Sequence, residues 1–178
     1  MTREVQRRGS EDRRLNLDFI GINVYKPTRY VLASDQAPGW REIPFAKSHP
    51  KMFNSWLTLG PEAIYWAPKL VQSLWKAKEI FITENGCASD DVVADDGGDY
   101  DTDRVMFLRS YLEQLQRAAS DGVPVKGYFQ WSTMDNFEWN AGFGNRFGLV
   151  YVDFKSQKRT PKLSVDWFRE AAARNAVV

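Results

Sequence analysis

The stretch Glu79–Gly86, EIFITENG, reads as a short apolar strand that runs into a carboxylate, Glu84, and then into a turn. Its β-branched and aromatic residues follow one another with little alternation, the pattern of a strand buried on both faces in a parallel sheet. Working outward, LDFIGINVY (17–25) and PVKGYFQW (124–131) have the same character. Between these runs lie helical patterns. PEAIYWAPKLVQSLWKAK opens with Pro61, a favourable first-turn residue, and carries Pro68 as an expected kink or break. RVMFLRSYLEQLQRAAS places Val105, Phe107, Leu108, Tyr111, Leu112 and Leu115 along one side, and DGVP closes it with turn residues. FGLVYVDF is a further extended run, and PKLSVDWFREAAARN, opening on Pro161, is a terminal helix. Strand, helix, strand, helix, strand, hairpin, helix is the order of an α/β fold with parallel strands joined by helical crossovers.

Composition narrows the class. A chain of 178 residues that is 43% hydrophobic and 14% aromatic can bury a sizeable core, so a single globular domain is expected. Twenty-four basic and 23 acidic residues leave a net charge of +1, with no basic face to grip a phosphate backbone, so no nucleic acid partner is expected. No apolar stretch approaches the roughly 20 residues of a membrane-spanning helix, so no membrane partner is expected either. The single Cys87 cannot close an internal disulfide and no charged-then-apolar leader opens the chain, so a cytoplasmic location is expected. Residues 1–16 hold five Arg, two Glu and one Asp without apolar periodicity and are expected to form a flexible polar leader before a domain spanning 17–178. A basic arm for an acidic partner is the weaker reading of that segment, given its interspersed acids.

In open parallel sheets and α/β barrels, ligands meet the protein at the carboxyl ends of the strands. Glu84 stands at such an end, and from TENG alone a turn-capping role serves as well as a functional one. Two other strands tip the balance. PVKGYFQW ends on Trp131, and the loop after it brings Asp135, Glu138, Trp139, Asn145 and Phe147 into a short space. LDFIGINVY ends on Asn23 and Tyr25, and the long Pro- and Gly-bearing segment 26–60 that follows has the length of a functional loop. Carboxylates, amides and large aromatics converging on one rim suit a sugar, whose apolar face stacks on Trp and whose hydroxyls pair with carboxylates and amides.

Taken in order, DFIGINVY, FITENG and WSTMDNFEWNAGFGNRFGLVYVDF resemble the last three barrel strands of the glycoside hydrolase family 1 β-glycosidases, from about Leu17 to Phe168. The resemblance implies the C-terminal part of a (β/α)8 barrel, three parallel strands with crossover helices. It implies that Glu84 is the catalytic nucleophile of a retaining double displacement and that Tyr25 hydrogen-bonds and orients it. Trp131 would lie under the sugar, Glu138 and Trp139 would hold its distal hydroxyls, Phe147 would wall the pocket, and Asn23 would join the binding rim. Glu138, Asn145 and Phe147 stand where relatives that use phosphorylated sugars are expected to have Ser, Lys and Tyr. A carboxylate there repels a 6-phosphate, so the implied substrate is an unphosphorylated β-glucoside or related β-glycoside, as a small molecule or oligosaccharide. No cofactor and no metal are implied.

The pattern is incomplete. A retaining glycosidase needs a second carboxyl group roughly 5 to 5.5 Å from the first, and the Asn-Glu-Pro motif that supplies it in the family does not occur in this sequence. A whole barrel takes about 250 residues. A complementary barrel portion is therefore the expected partner, with a homo-oligomer or a rearranged terminal segment as other covers for the exposed inner face. The rival to a catalytic role is a non-catalytic, self-associating half-barrel with residual sugar binding; a truncated product without function is a third reading. Of the remaining residues, His49 is read as a loop residue and Cys87 as packing. The Asp-rich segment 89–103 is read as a solvated loop rather than a calcium site. Trp56, Trp66, Trp75 and Trp167 are read as core or loop packing, and Trp40 as lining an outer subsite.

Overall fold

A computed structural model describes residues 17–178; the expected leader, 1–16, lies outside them. The chain runs through β1 (Ile20–Asn23), an antiparallel hairpin of β2 (Tyr30–Ala33) and β3 (Trp40–Ile43), α1 (Glu62–Trp75), β4 (Ile80–Asn85), α2 (Thr102–Ser120) and β5 (Val125–Gln130). A 3-10 turn at Trp139–Ala141, a second antiparallel hairpin of β6 (Val150–Val152) and β7 (Arg159–Pro161), and α3 (Leu163–Arg174) complete it. The three apolar runs become one parallel sheet ordered β1-β4-β5, with Ile20 beside Ile80, Ile22 beside Ile82, and Phe81 beside Gly127. Helices α1 and α2 are its crossovers. These are the units of a partial α/β barrel.

Strand alternation decides which residues meet the helices. Ile80 and Ile82 are completely buried: Ile82 packs with Ile64 of α1 and with Phe107, Leu108, Tyr111 and Leu115 of α2, and Ile80 with Tyr65 and Val71 of α1 and Ala118 of α2. Burying such a side chain contributes about 1.5 to 3 kcal/mol, so this layer is the main source of stability. The opposite face differs from the expectation of strands buried on both sides. Phe19 and Phe129 are 55% and 58% exposed there, and Phe19 meets Phe81 edge-on at 5.3 Å. Both faces of the strands are apolar, but among the described residues only the helical side is covered.

Local details also depart from expectation. Helix α1 continues through Pro68, which is fully buried, so the proline does not break it. Pro161 ends β7 instead of opening the last helix, which starts at Leu163. The long segment after β1 is ordered around the β2–β3 hairpin and a bridge between Lys51 and Thr58. No described helix is long and apolar enough to cross a membrane.

Candidate active site

The carboxyl ends of β1, β4 and β5 lie side by side, and a chain of hydrogen bonds fixes Glu84 among them. Val24 N–H donates to the Glu84 carbonyl at 2.9 Å. The next residue, Asn85, is completely buried, and its amide reaches both neighbouring strands. Asn85 Nδ2 donates to the Val24 carbonyl, and Tyr128 Oη donates to Asn85 Oδ1, both at 2.7 Å. Trp131 N–H donates to the Asn85 carbonyl at 2.8 Å. Gly86 follows because there is no room for more: a Cβ there would stand 1.9 Å from the Trp131 carbonyl oxygen.

Tyr25 Oη donates to Glu84 Oε2 at 2.9 Å. Its own backbone is held from below by Tyr111, whose hydroxyl donates to the Tyr25 carbonyl at 3.0 Å and accepts from Gly60 N–H. Burial, then the hydrogen bond and charge of Glu84, then the charge of Glu138, push the Tyr25 phenol far above its ordinary value. The phenol therefore stays protonated and remains a donor. Glu138 is fixed in turn by Trp131, whose indole Nε1 donates to Glu138 Oε2 at 3.3 Å, and by backbone pairing with Gly142. The Trp131–Ser132 peptide is cis.

An aromatic wall closes one side. Phe147, 2% exposed, stacks on Trp56 with ring centres 6.4 Å apart, and Trp56 meets the Tyr25 ring edge-on at 6.0 Å. Trp56, read from the sequence as packing, thus packs against two of the expected site residues, Tyr25 and Phe147. Nothing local marks it, because its partners Tyr25 and Phe147 are distant in the chain. Asn23 sits on the open face and accepts a hydrogen bond from Thr83 Oγ1 at 2.7 Å. Trp139 is 80% exposed at the start of the 3-10 turn, so it joins Glu138 as a chain neighbour only. Trp40 lies on β3 under the Arg29 guanidinium, 40% exposed. Two clefts of about 450 and 600 Å³, one against α2 and α3 and one beside β1 and α1, include neither Glu84 nor Glu138. The rim is open.

Several expectations need correction. The Asp-rich loop is not solvated throughout: Asp91, Asp99 and Asp101 are buried, Asp91 and Asp101 against Arg104 of α2. Asp135, expected on the rim, is buried with Lys162 and Arg146. Trp66 and Trp75 are not core residues but stand 60% and 62% exposed on α1, whereas Trp167 packs partly against the core. His49, as expected a loop residue, donates from Nε2 to the Leu59 carbonyl, 2.7 Å away. Cys87 is fully buried, and burial pushes its thiol up, away from reactivity. Among the described residues, no group of three or more His, Cys, Asp or Glu could hold a metal ion.

Parallel β/α units whose strand ends present a phenol-oriented carboxylate beside an indole–carboxylate pair place these groups where an α/β barrel carries its ligand site. The chain belongs to glycosyl hydrolase family 1, whose model matches residues 3–177. A 1,4-beta-D-glucan glucohydrolase of Thermotoga neapolitana is 41% identical over 167 residues, covering 94% of this chain and 37% of that protein. Beta-glucosidase 1 of Oryza sativa is 37% identical over 170 residues, covering 87% and 32%. Among solved structures, a family 1 β-glucosidase from Thermotoga maritima superimposes with a TM-score of 0.80 at 40% identity, covering 91% of this chain and 36% of that one. The same enzyme has been solved in complex with deoxynojirimycin. The chain thus spans little more than a third of the length of the relatives it matches.

Proposed function

We propose that this chain provides the nucleophile and the sugar-binding rim of a retaining β-glycosidase acting on unphosphorylated β-glucosides or related β-glycosides. The observation that carries the reading is the 2.9 Å hydrogen bond from Tyr25 to Glu84 at adjoining strand ends, with Glu138 held by the Trp131 indole at the end of the next strand. In this mechanism Glu84 attacks the anomeric carbon while the leaving oxygen takes a proton from an acid/base carboxyl group, giving a glycosyl ester. Water, deprotonated by the same group, then cleaves the ester with a second inversion. Tyr25 occupies one oxygen of Glu84 and leaves the other free to attack. Trp131 underlies the ring, and Glu138 accepts from the hydroxyls where a 6-phosphate would be repelled. Phe147 and Trp56 bound the pocket, while Asn23 and Trp139 meet outer hydroxyls. A complementary barrel portion supplies the acid/base. A cytoplasmic location belongs to the same proposal and rests on the lone, buried Cys87.

The test is covalent trapping with a 2-deoxy-2-fluoro-β-glucoside carrying dinitrophenolate, which leaves without protonation. With the upstream portion of the Thermotoga maritima β-glucosidase added as complement, one glycosyl adduct is expected on the peptide containing Glu84 and none in Glu84→Gln. An unlabelled Glu84 under those conditions overturns the reading. A second reading is a sugar-binding half-barrel without turnover. It predicts deoxynojirimycin binding with no hydrolysis of an aryl β-glucoside whether or not the complement is present.

A further inference from the structure

Behind the rim lies a buried network of charges that the mechanism above does not use. Lys162, at the threshold of α3, is 1% exposed, and its Nζ donates to Asp91 Oδ2 at 2.5 Å and to Asp135 Oδ1 at 2.9 Å. Asp91 lies in the loop that leaves β4 downstream of Glu84. Asp135 lies in the loop that leaves β5, between Trp131 and Glu138. Lys162 is the one described residue whose side chain bonds to both. Around it, Arg104 pairs with Asp91 at 2.7 Å and with Asp101, and Arg146 pairs with Asp135 at 2.6 Å. Three cations thus meet three carboxylates, with the buried Asp99 beside them, its carboxyl raised by burial and by the charge of Asp91.

Such a cluster is a poor source of net stability, because desolvation offsets most of the attraction; what it supplies is a fixed geometry. Asp135 shows how that geometry spreads. It accepts from Gly148 N–H at 2.9 Å and from Val152 N–H at 3.3 Å, so it ties the two ends of the Glu138 loop together. Gly148 is pressed so closely onto it that a Cβ would stand 2.1 Å from Asp135 N. Ser132 and Leu149 close the same neck through Ser132 N–H to the Phe147 carbonyl and Leu149 N–H to the Ser132 carbonyl, at 3.0 and 2.9 Å. The arm that carries Glu138 projects from this neck, while Asp91 holds the Glu84 loop from the other side of the same ammonium.

We propose that Lys162 is a positioning residue that sets the spacing between the Glu84 and Glu138 loops by clamping Asp91 to Asp135. Its role rests on the sugar-site reading above but is read out separately. Lys162→Met keeps the stem and removes the charge; Lys162→Arg keeps the charge; Leu115→Ala, in the core of α2, serves as a control that loses stability away from the rim. Each full-length chain is assayed for deoxynojirimycin affinity by tryptophan fluorescence, for amide exchange at Gly148 and Val152, and for melting temperature. Lys162→Met is expected to weaken binding by about tenfold or more and to speed exchange at both amides, since two carboxylates lose their shared cation. Lys162→Arg recovers part of both, and Leu115→Ala changes neither beyond about twofold, at an equal or larger loss of melting temperature. If Lys162→Met does not fold, Asp135→Asn removes the other end of the clamp and is expected to give the same pattern. Wild-type affinity and wild-type protection in the clamp variants overturn the proposal, as does an equal loss of both in Leu115→Ala. If the wild-type chain itself fails to bind deoxynojirimycin, the binding reading falls alone, and the exchange data decide the clamp: selective loss of protection at Gly148 and Val152 upholds it, and unchanged protection rejects it.

Discussion

The two faces of the same three strands are built from similar residues and have opposite surroundings. On the helical side Ile80 and Ile82 have no exposed surface, whereas on the other side Phe19 and Phe129 are more than half exposed. Apolar character alone therefore does not say which face carries the fold. The helical face holds the molecule together, and the open face ends in the rim where Asn23, Glu84 and Trp131 sit.

Substitutions can break or sharpen this contrast. The largest effect is expected for Ile82→Ala, which empties a fully enclosed site: a loss of about 2 to 5 kcal/mol by denaturant unfolding. A loss under about 1 kcal/mol would mean that the helical layer is not the core.

A smaller, pH-dependent effect is expected at Asp99, which shares the covered side and has one carboxylate oxygen without a partner. Burial, then the charge of Asp91, lifts its carboxyl from the usual 3.8 to about 6. A raised acid is held protonated by the folded chain while the unfolded chain releases the proton, so the contribution of Asp99 to stability is fullest below about pH 4 and declines as pH rises to about 6. Asp99→Asn should remove that decline and gain stability at pH 7, by less than the roughly 1.4 kcal/mol per pH unit of an unscreened group. Parallel stability curves for the two proteins between pH 4 and 7 would contradict it.

The smallest effect is expected on the open face, where Phe129→Ser should shift unfolding by no more than about 0.5 kcal/mol while reducing concentration-dependent association in sedimentation. A loss as large as that of Ile82→Ala would show that the inner face is covered after all.

The parallel strands and their carboxyl-end residues were legible because apolar runs and helical periodicity are local signals. Glu84, Tyr25 and Glu138 were singled out through motif resemblance, and the coordinates bring them to one rim. What escaped was whatever depends on distant partners. Trp56 looks like any loop tryptophan until Tyr25 and Phe147 fold against it. Asp91, Asp99, Asp101 and Asp135 read as solvated or as rim acids because Arg104 and Lys162, which take Asp91, Asp101 and Asp135 into the interior, lie elsewhere in the chain. The two-sided burial expected of the strands failed for the complementary reason: composition records an affinity for a cover, and the described residues provide only one.

Asn85 carries a practical consequence. Its amide is engaged by Val24 on one flank and Tyr128 on the other, so the backbone of the adjacent Glu84 is held by the sheet itself. The surrounding surface segments can be grafted, shortened or diversified with the Glu84 carboxylate left in register.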